Sequence, residues 1–254
     1  MINIVVPMAG RGSRFAGMED DAPKPLIQVV PGKAMIEYVI DYLTLPEPHR
    51  FIFVCLAAHV PLCNFKLFFH GKTRGHQIVL APEITAGPAA SALLAAPFID
   101  NESELLVAYC DMFLSIDVTH FLRWNRRKGS DGGVVGYPSM NPMDSYAQID
   151  AGGCVTRTAE KVIISDMATA GLYYFREGRD FVSSARRLLS SQHDGTAEVF
   201  VSPCYNELIR RGKTVLAYQI GRHEKIEMGT PDDLRLARSW LNGSSAPPVL
   251  EGAC

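Results

Sequence analysis

Residues 8–26, MAGRGSRFAGMEDDAPKPL, place a glycine-rich loop with two arginines shortly before a lysine that lies between two prolines. The stretch follows an apolar run, residues 2–6, which predicts a first β-strand. The loop therefore leaves the carboxyl end of that strand, where open α/β sheets bind their ligands.

The residue types of the loop are those that bind phosphate. Gly10 and Gly12 lack a Cβ, so the backbone can adopt positive φ and turn several N–H groups toward one anion. Arg11 and Arg14 add forked donors that match phosphate oxygens. The alternative interpretation is an ordinary strand-to-helix turn with a solvated basic rim.

Lys24 adds a point charge on a stiff segment. Pro23 and Pro25 fix φ on both sides and favour extended backbone at the residues that precede them.

Two better-known glycine loops fit less well. No Lys-Ser or Lys-Thr follows the glycines at the spacing of a P-loop, and Phe15 stands where a dinucleotide fingerprint requires Gly or Ala.

Composition narrows the class of protein. The 254 residues are 47% hydrophobic, which is enough for a substantial core, and carry a net charge of −2 with both signs interspersed. This balance argues against nucleic-acid and membrane partners. The longest apolar run, residues 51–62, is interrupted by His59 and is too short to span a bilayer. The N-terminus lacks the regions of a signal peptide, so we expect a cytoplasmic protein.

The six cysteines form no C-x-x-C pair and do not cluster with histidine, which argues against structural zinc. Cys110, beside Asp111, leaves open the alternative of a catalytic thiol.

The order of elements predicts an α/β fold with a three-layer, doubly wound and mostly parallel sheet. In the first half we expect strands at 2–6, 50–56, 77–81 and 105–110, and helices at 34–45 and 87–96. The second half is mixed, with strands at 133–137, 147–149, 154–156, 168–175 and 214–220 and helices at 178–191, 203–211 and 231–241. No linker separates the halves, so residues 1–242 are predicted to form one domain, with halves 1–131 and 132–242, followed by a loosely ordered tail at 243–254.

Residues 7–15 followed by 23–26 closely resemble the opening of the sugar-1-phosphate nucleotidylyltransferases, which make nucleoside diphosphate sugars. The likeness recurs in the family's order at 85–95, 111, 160–161, 165–175, 203–208 and 227–234. It implies a Rossmann-like, GT-A-like nucleotidyltransferase fold, with a nucleotide-binding first half and an acceptor-binding second half.

The resemblance implies a nucleotide site built from two loops. Its residues would be Met8, Ala9, Gly10, Arg11, Gly12 and Ser13 from the first loop and Thr85, Gly87 and Ala89 from the second, with Arg14 and Lys24 as catalytic residues. The second loop leaves room for a flat base, although Pro88 in the first turn of a helix is also an ordinary structural choice. These residues do not decide whether the base is a pyrimidine or a purine.

Asp111 follows the strand predicted at 105–110, and a carboxylate at that edge of the sheet suits Mg²⁺ bound together with phosphate. The alternative is a helix N-cap. The family supplies a second metal carboxylate from an Asp two residues before Gly-Thr. Here Glu227 stands at that position, a side chain longer by one methylene. Thr230 can independently cap the helix that starts at Pro231.

On the acceptor side, Glu160 and Lys161 resemble the family's pair for a sugar hydroxyl and the acceptor phosphate. Gly171 and Tyr173 match the segment beside the acceptor. The alternative for Glu160 and Lys161 is a solvated ion pair. The alternative for the aromatic residues is a strand buried in the core, which is the better explanation for Phe175.

Taken together, the resemblance implies a magnesium-dependent enzyme. It would condense a nucleoside triphosphate with a phosphorylated small molecule and release pyrophosphate. A sugar 1-phosphate is the first expectation for the acceptor. A cytidylyltransferase acting on a non-sugar phosphate or phosphonate, and a nucleotide-binding module without turnover, remain alternatives. No general base is needed because a phosphate monoester is mostly dianionic at neutral pH, and none of the seven histidines falls in a motif. A glycosyltransferase fits less well, because residues 111–113, DMF, are not D-x-D. The sequence does not decide the oligomeric state, and a homo-oligomer is one of the options.

Overall fold

Strands and helices alternate along the computed structural model, which describes residues 1–10, 12–15, 22–191 and 198–241. The strands are β1 (Ile2–Met8), β2 (Gln28–Val30), β3 (Lys33–Ala34), β4 (His49–Leu56), β5 (His76–Ala81), β6 (Leu105–Ala108), β7 (Met112–Leu114), β8 (Gly132–Pro138), β9 (Ser145–Ile149), β10 (Val155–Glu160), β11 (Met167–Phe175), β12 (Val215–Gln219) and β13 (Lys225–Glu227). The α-helices are α1 (Met35–Leu43), α2 (Phe65–Phe69), α3 (Pro88–Leu93), α4 (Ala96–Ile99), α5 (Val118–Lys128), α6 (Gly178–Ser191), α7 (Cys204–Arg210) and α8 (Pro231–Leu241). The tail predicted at 243–254 lies outside the described residues.

One nine-stranded sheet contains strands from both halves of the chain. Its main path runs β10-β9-β11-β6-β1-β4-β5, with β8 paired to β11 and β12 paired to β8. The pairs β1–β4, β1–β6 and β4–β5 are parallel, so their carboxyl ends meet at one edge. The long strand β11 runs antiparallel to β6 and β8 and thereby joins the second half to the first.

Alternation along β1 explains the three layers. Ile4 and Val6 belong to one apolar core, whereas Val5 belongs to another, because successive side chains of a strand point to opposite faces. Helices α1, α2 and α5 pack in the first core, and α3, α6 and α7 pack in the second. A mostly parallel, mixed sheet covered by helices on both faces is the predicted α/β fold class, which is confirmed.

Strands β2, β3, β7 and β13 and the short helix α2 were not predicted, and two further helical regions differ from the prediction. The helix predicted at 87–96 is interrupted and forms the two short helices α3 and α4. Helix α5 was not predicted, although its signals are present in the sequence: Asp117 accepts a hydrogen bond from the N–H of His120 at 3.0 Å, and Gly129 ends the helix with φ 67°.

A third apolar cluster supports the segments at the sheet edge. Phe15, Ile27 and Met35 from the N-terminal region pack there with Ile226 and Met228, the residues on either side of Glu227. Strands β7 and β13 pair antiparallel with Glu227 opposite Met112. This cluster and this ladder bring the Lys24 region, the segment after β6 and the segment before α8 together.

No helix within the described ranges is long and apolar enough to cross a membrane. Five of the six cysteines lie in those ranges, and each of the five is a free thiol.

Candidate functional site

A cavity of about 750 Å³ opens at the carboxyl ends of β1 and β6. The sequence-predicted residues that line it are Met8, Ala9, Gly10, Gly12, Ser13, Arg14, Lys24, Thr85, Gly87, Asp111, Glu160, Lys161, Gly171, Tyr173 and Glu227. Arg11 lies outside the described residues. Segments that are up to 226 positions apart in the sequence, at Pro7 and Asp233, thus face one space.

Ala89 is the exception among the predicted nucleotide-binding residues. Its side chain is fully buried in the second core and does not line the cavity. Its N–H donates to the carbonyl of Val199 at 2.9 Å. Both the side chain and the N–H of Ala89 are therefore engaged within the protein, and the nucleotide contact assigned to this residue stays a prediction.

The glycine loop lies directly against Lys24. Gly12 has φ 63°, and a Cβ at this position would lie 3.1 Å from the Cβ of Lys24, so a side chain here would crowd the lysine. Residues Lys24–Leu26 form one turn of 3-10 helix, so the extended backbone expected before Pro25 is not adopted. The ammonium group of Lys24 lies 5.7 Å from the ring centre of Phe15.

Lys24 and Asp111 form an ion pair in the cavity wall. Lys24 Nζ donates to Asp111 Oδ2 at 2.5 Å, and each side chain is only 18% exposed. Burial alone would lower the pKa of Lys24, but the Asp111 carboxylate outweighs it and raises that pKa. Burial would likewise raise the pKa of Asp111, but Lys24 holds it below its usual value. Both groups are therefore charged at neutral pH.

Cys110 does not have the properties of a catalytic thiol. Burial, reinforced by the Asp111 carboxylate, raises the pKa of Cys110 to about 12. Because the thiolate is the reactive form, this thiol is inert at neutral pH.

Glu227 and Asp233 lie near Asp111 of the ion pair. The N–H of Met228 donates to the carbonyl of Asp111 at 2.9 Å, which places Glu227 next to Asp111. A Cβ on Gly229 would lie 3.2 Å from Asp111 Oδ2 and 3.8 Å from a carboxylate oxygen of Asp233. Burial raises the pKa of Asp233, and the nearby charges of Glu227 and Asp111 raise it further.

The cap predicted at Thr230 is present as well. Its hydroxyl oxygen accepts the N–H of Asp233 at 3.1 Å and donates to the Asp233 carboxylate at 2.7 Å. This cap uses Thr230 and Asp233 and leaves Glu227 free for another role.

The donor set here fits Mg²⁺. No group of three or more His, Cys, Asp or Glu side chains in the described part of the chain is arranged to hold a metal by itself. Asp111 and Glu227 nevertheless offer carboxylate oxygens to one cavity. Magnesium commonly binds through one or two carboxylates and completes its coordination with water and substrate phosphate.

The loop at Thr85 and Gly87 forms a close-packed wall of the cavity. Gly87 has φ 105°, and a Cβ there would lie 2.7 Å from the backbone N of Val199. The Thr85 hydroxyl donates to the carbonyl of Gly87 at 3.2 Å. Only glycine lets the chain before α3 pass this close to Val199.

Glu160, which also lines the cavity, accepts a hydrogen bond from the hydroxyl of Ser145. Burial raises the pKa of Glu160. Lys161 has φ 52°, the only positive φ of a non-glycine residue among those described. Its Nζ lies 3.9 Å from the carboxylate of Glu198 and 4.9 Å from the ring centre of Phe200. Strained backbone of this kind is concentrated at functional sites.

Gly171 and Tyr173 lie at an irregularity of β11, whose register against β8 shifts between Thr169 and Tyr173. Gly171 has φ 76°, and its carbonyl accepts the N–H of Tyr109 at 3.0 Å. Tyr173 is 1% exposed and shares a 3.0 Å hydrogen bond with the Thr169 hydroxyl. Both residues line the cavity, whereas Phe175 belongs to the core, as predicted.

Sequence reasoning missed Lys225, whose side chain is 1% exposed. Lys225 Nζ donates to Glu227 Oε1 at 2.6 Å and to the Tyr137 hydroxyl at 2.6 Å. Tyr137 in turn donates to Asp144 Oδ2 at 2.7 Å. The signal was available: Lys225 and Glu227 are two residues apart in an extended segment, so they share a face.

Comparison with known proteins gives the family. The nucleotidyl transferase family matches residues 4–235. A nucleoside-diphosphate-sugar pyrophosphorylase from Vibrio cholerae RC9 has 26% identity and a TM-score of 0.76, with 92% of this chain and 99% of that chain covered. No curated protein matched the sequence.

Two more distant structures share the fold. They are a putative glucose-1-phosphate thymidylyltransferase from Bacillus anthracis (16% identity, TM-score 0.76, 100% and 98% covered) and the inositol-1-phosphate CTP transferase from T. maritima (15% identity, TM-score 0.73, 100% and 98% covered).

Proposed function

Since this chain belongs to the nucleotidyl transferase family and is a nucleotidyltransferase, we propose that it joins a nucleoside triphosphate to a sugar 1-phosphate and releases pyrophosphate. An oxygen of the acceptor phosphate attacks the α-phosphorus in line, one P–O bond forms, and the bond to pyrophosphate breaks. The dianionic acceptor requires no general base.

The observation that carries this proposal is the position of the Lys24–Asp111 pair. The pair lines the same cavity as the glycine loop and as Glu160 and Lys161. A triphosphate held by the loop and an acceptor phosphate held near Lys161 would meet at the pair. Positioning and charge neutralisation are the main sources of catalysis in phosphoryl transfer.

Different residues of the cavity would have different roles. Gly10, Gly12 and Ser13 would bind the triphosphate through backbone N–H groups, with Arg14 as a charged donor. Lys24 would stabilise the charge that develops on the α-phosphate. Lys161 would orient the acceptor phosphate.

Asp111 and Glu227 would hold Mg²⁺. When bound, the ion supplies charge neutralisation on the phosphate oxygens. Before the ion binds, Lys24 and Lys225 neutralise these two carboxylates, at 2.5 and 2.6 Å.

Thr85 and Gly87 would flank the base. The Gly87 backbone, held against Val199, forms a rigid wall at that position. Glu160, fixed by Ser145, would accept a hydrogen bond from a sugar hydroxyl. The name of the similar protein from Vibrio cholerae, a nucleoside-diphosphate-sugar pyrophosphorylase, supports a sugar 1-phosphate as the acceptor.

A second candidate acceptor is a phosphate or phosphonate that carries an amine, used with CTP. One observation favours it. The ring of Phe200 and the carboxylate of Glu198 lie together around an ammonium group, that of Lys161. An aromatic face beside a carboxylate is a typical binding arrangement for organic cations.

A matrix of triphosphates against phosphorylated acceptors, read by pyrophosphate release, tests the proposal. The expected result is magnesium-dependent release with one triphosphate and a hexose 1-phosphate. Release with CTP and an amine-bearing phosphate, but with no hexose 1-phosphate, would favour the second candidate. Binding without release in any combination would contradict both.

A further inference from the structure

A hydrogen-bonded chain of side chains links Glu227 to Asp144, two residues that line the cavity. It starts at Glu227 Oε1, passes through Lys225 Nζ and the Tyr137 hydroxyl, and reaches Asp144 Oδ2, with distances of 2.6, 2.6 and 2.7 Å. The carbonyl of Asp144 accepts the N–H of Lys161 at 3.0 Å, so the chain ends on the backbone of the residue with positive φ.

Lys225 is the centre of this chain. Its ammonium lies 4.1 Å from the ring centre of Tyr137 and has little contact with solvent. A buried ammonium is expensive unless it is paired and hydrogen-bonded, and here two partners and an aromatic face meet that requirement. Its geometry is therefore closely determined by its surroundings.

Glu227 needs such a partner more than aspartate would. Glutamate has one methylene and one rotatable bond more, so a free carboxylate at this position would sample more orientations. The bond from Lys225 restricts those orientations.

From these contacts we propose that Lys225 is a positioning residue for nucleotidyl transfer: it fixes the carboxylate of Glu227 and, through Tyr137 and Asp144, sets the backbone of Lys161. Its effect is to align the two halves of the site with each other. This inference rests on the proposed function, because alignment matters only if the two halves hold two reacting phosphates.

The first test uses Lys225→Met, which keeps the length of the side chain and removes the charge, and Tyr137→Phe, which keeps the ring and removes the hydroxyl. With the triphosphate and acceptor that the wild type uses, both variants should lower kcat/KM for the acceptor by about ten- to a hundredfold, the range expected for small misplacements. The KM for the triphosphate should stay within about twofold of the wild-type value, because uniform binding is unchanged.

The double variant identifies the linkage. If Lys225 and Tyr137 act through one chain, combining the two substitutions should cost no more than the larger single effect. Fully multiplicative losses would overturn the proposal.

Lys33→Met is the matched control. Lys33 also pairs with a carboxylate, Asp41, at 2.5 Å and lies 4.3 Å from the ring centre of Tyr38, but it does not line the cavity. Wild-type kinetics are expected for this variant. Loss of activity equal to that of Lys225→Met would show that removing any such lysine is enough, and would overturn the proposal.

Hydrogen exchange of the free protein separates this inference from the proposed function. Peptides covering 139–145 and 160–163 should exchange faster in Lys225→Met and Tyr137→Phe than in the wild type, whatever the substrate is. Faster exchange in a protein that releases no pyrophosphate would count against the proposed function alone. Unchanged exchange together with unchanged acceptor kinetics in an active enzyme would overturn the role of Lys225 alone.

Discussion

Gly87→Ala should destabilise the protein more than substitution at any neighbouring glycine, because two costs fall on one residue. The φ of 105° is unfavourable for a residue with a Cβ, at about 1–2 kcal/mol. The new Cβ would also lie 2.7 Å from N and 2.8 Å from O of Val199, and backbone cannot rotate away as a side chain can.

Relieving this clash would also break two backbone hydrogen bonds. Val199 donates to the carbonyl of Ala86 at 2.6 Å and accepts from Ala89 at 2.9 Å, and moving its backbone would break both hydrogen bonds. At about 1 kcal/mol for each bond, the whole substitution should cost about 3–4 kcal/mol. For a protein of this size that is a fall of about 10 °C in the melting temperature.

Two alanine substitutions serve as controls. Gly71 has φ 78° with nothing within 4 Å of a built Cβ, so Gly71→Ala should show the φ cost alone. At Gly10 the Cβ also meets nothing within 4 Å, and φ is not positive, so Gly10→Ala should cost less than about 0.5 kcal/mol. Urea denaturation of the three variants measures the series. If Gly87→Ala were no less stable than Gly71→Ala, the reasoning about the Val199 contact would be refuted.

Two further predictions concern the ion pairs and carboxylates. Glu104 accepts hydrogen bonds from Arg126 and Tyr174; burial would raise the pKa of Glu104, but Arg126 and Tyr174 outweigh it and hold that pKa below its ordinary value of 4.5. The stabilisation that the Glu104 carboxylate provides should therefore be complete above pH 4.5 and be lost as the pH falls through the lowered pKa. Between pH 7 and pH 3, the unfolding free energy of Glu104→Gln should fall less than that of the wild type. Parallel pH profiles of the two proteins would contradict this. Gly229→Ala should press on the Asp111 carboxylate, which lies 3.2 Å from the new Cβ, and lower kcat about tenfold while the melting temperature changes by only a few degrees; a loss of stability without a change in kcat would contradict it.

The sheet was predicted from local patterns in the sequence, and most of the cavity residues were predicted from the resemblance of their motifs to a known family. Apolar runs such as residues 2–6 report buried strands directly, and the order of motifs placed Lys24 and Asp111 in one site. Helix α6 (Gly178–Ser191) agrees with the predicted range because its apolar face is regular.

What the sequence did not predict depends on contacts between distant segments. The N–H of Ala89 is taken by Val199, 110 residues away, so its place in a motif did not reveal its burial. Lys225 lies two residues before the motif at 227–234 and outside it, and its role depends on Tyr137, which is 88 residues away. Helix α5 was missed although its caps were readable, because few of its residues are apolar.

The most direct test of the central claim is pyrophosphate release by Lys24→Met and Asp111→Asn, compared with the wild type and with Lys33→Met, in the presence of Mg²⁺, a triphosphate and a phosphorylated acceptor. The Lys24–Asp111 pair is proposed to lie where the bond is exchanged, so both variants should remain folded by circular dichroism and lose at least two orders of magnitude in kcat. Lys33→Met should keep the wild-type rate. Release at near wild-type rates by both Lys24→Met and Asp111→Asn would contradict the account.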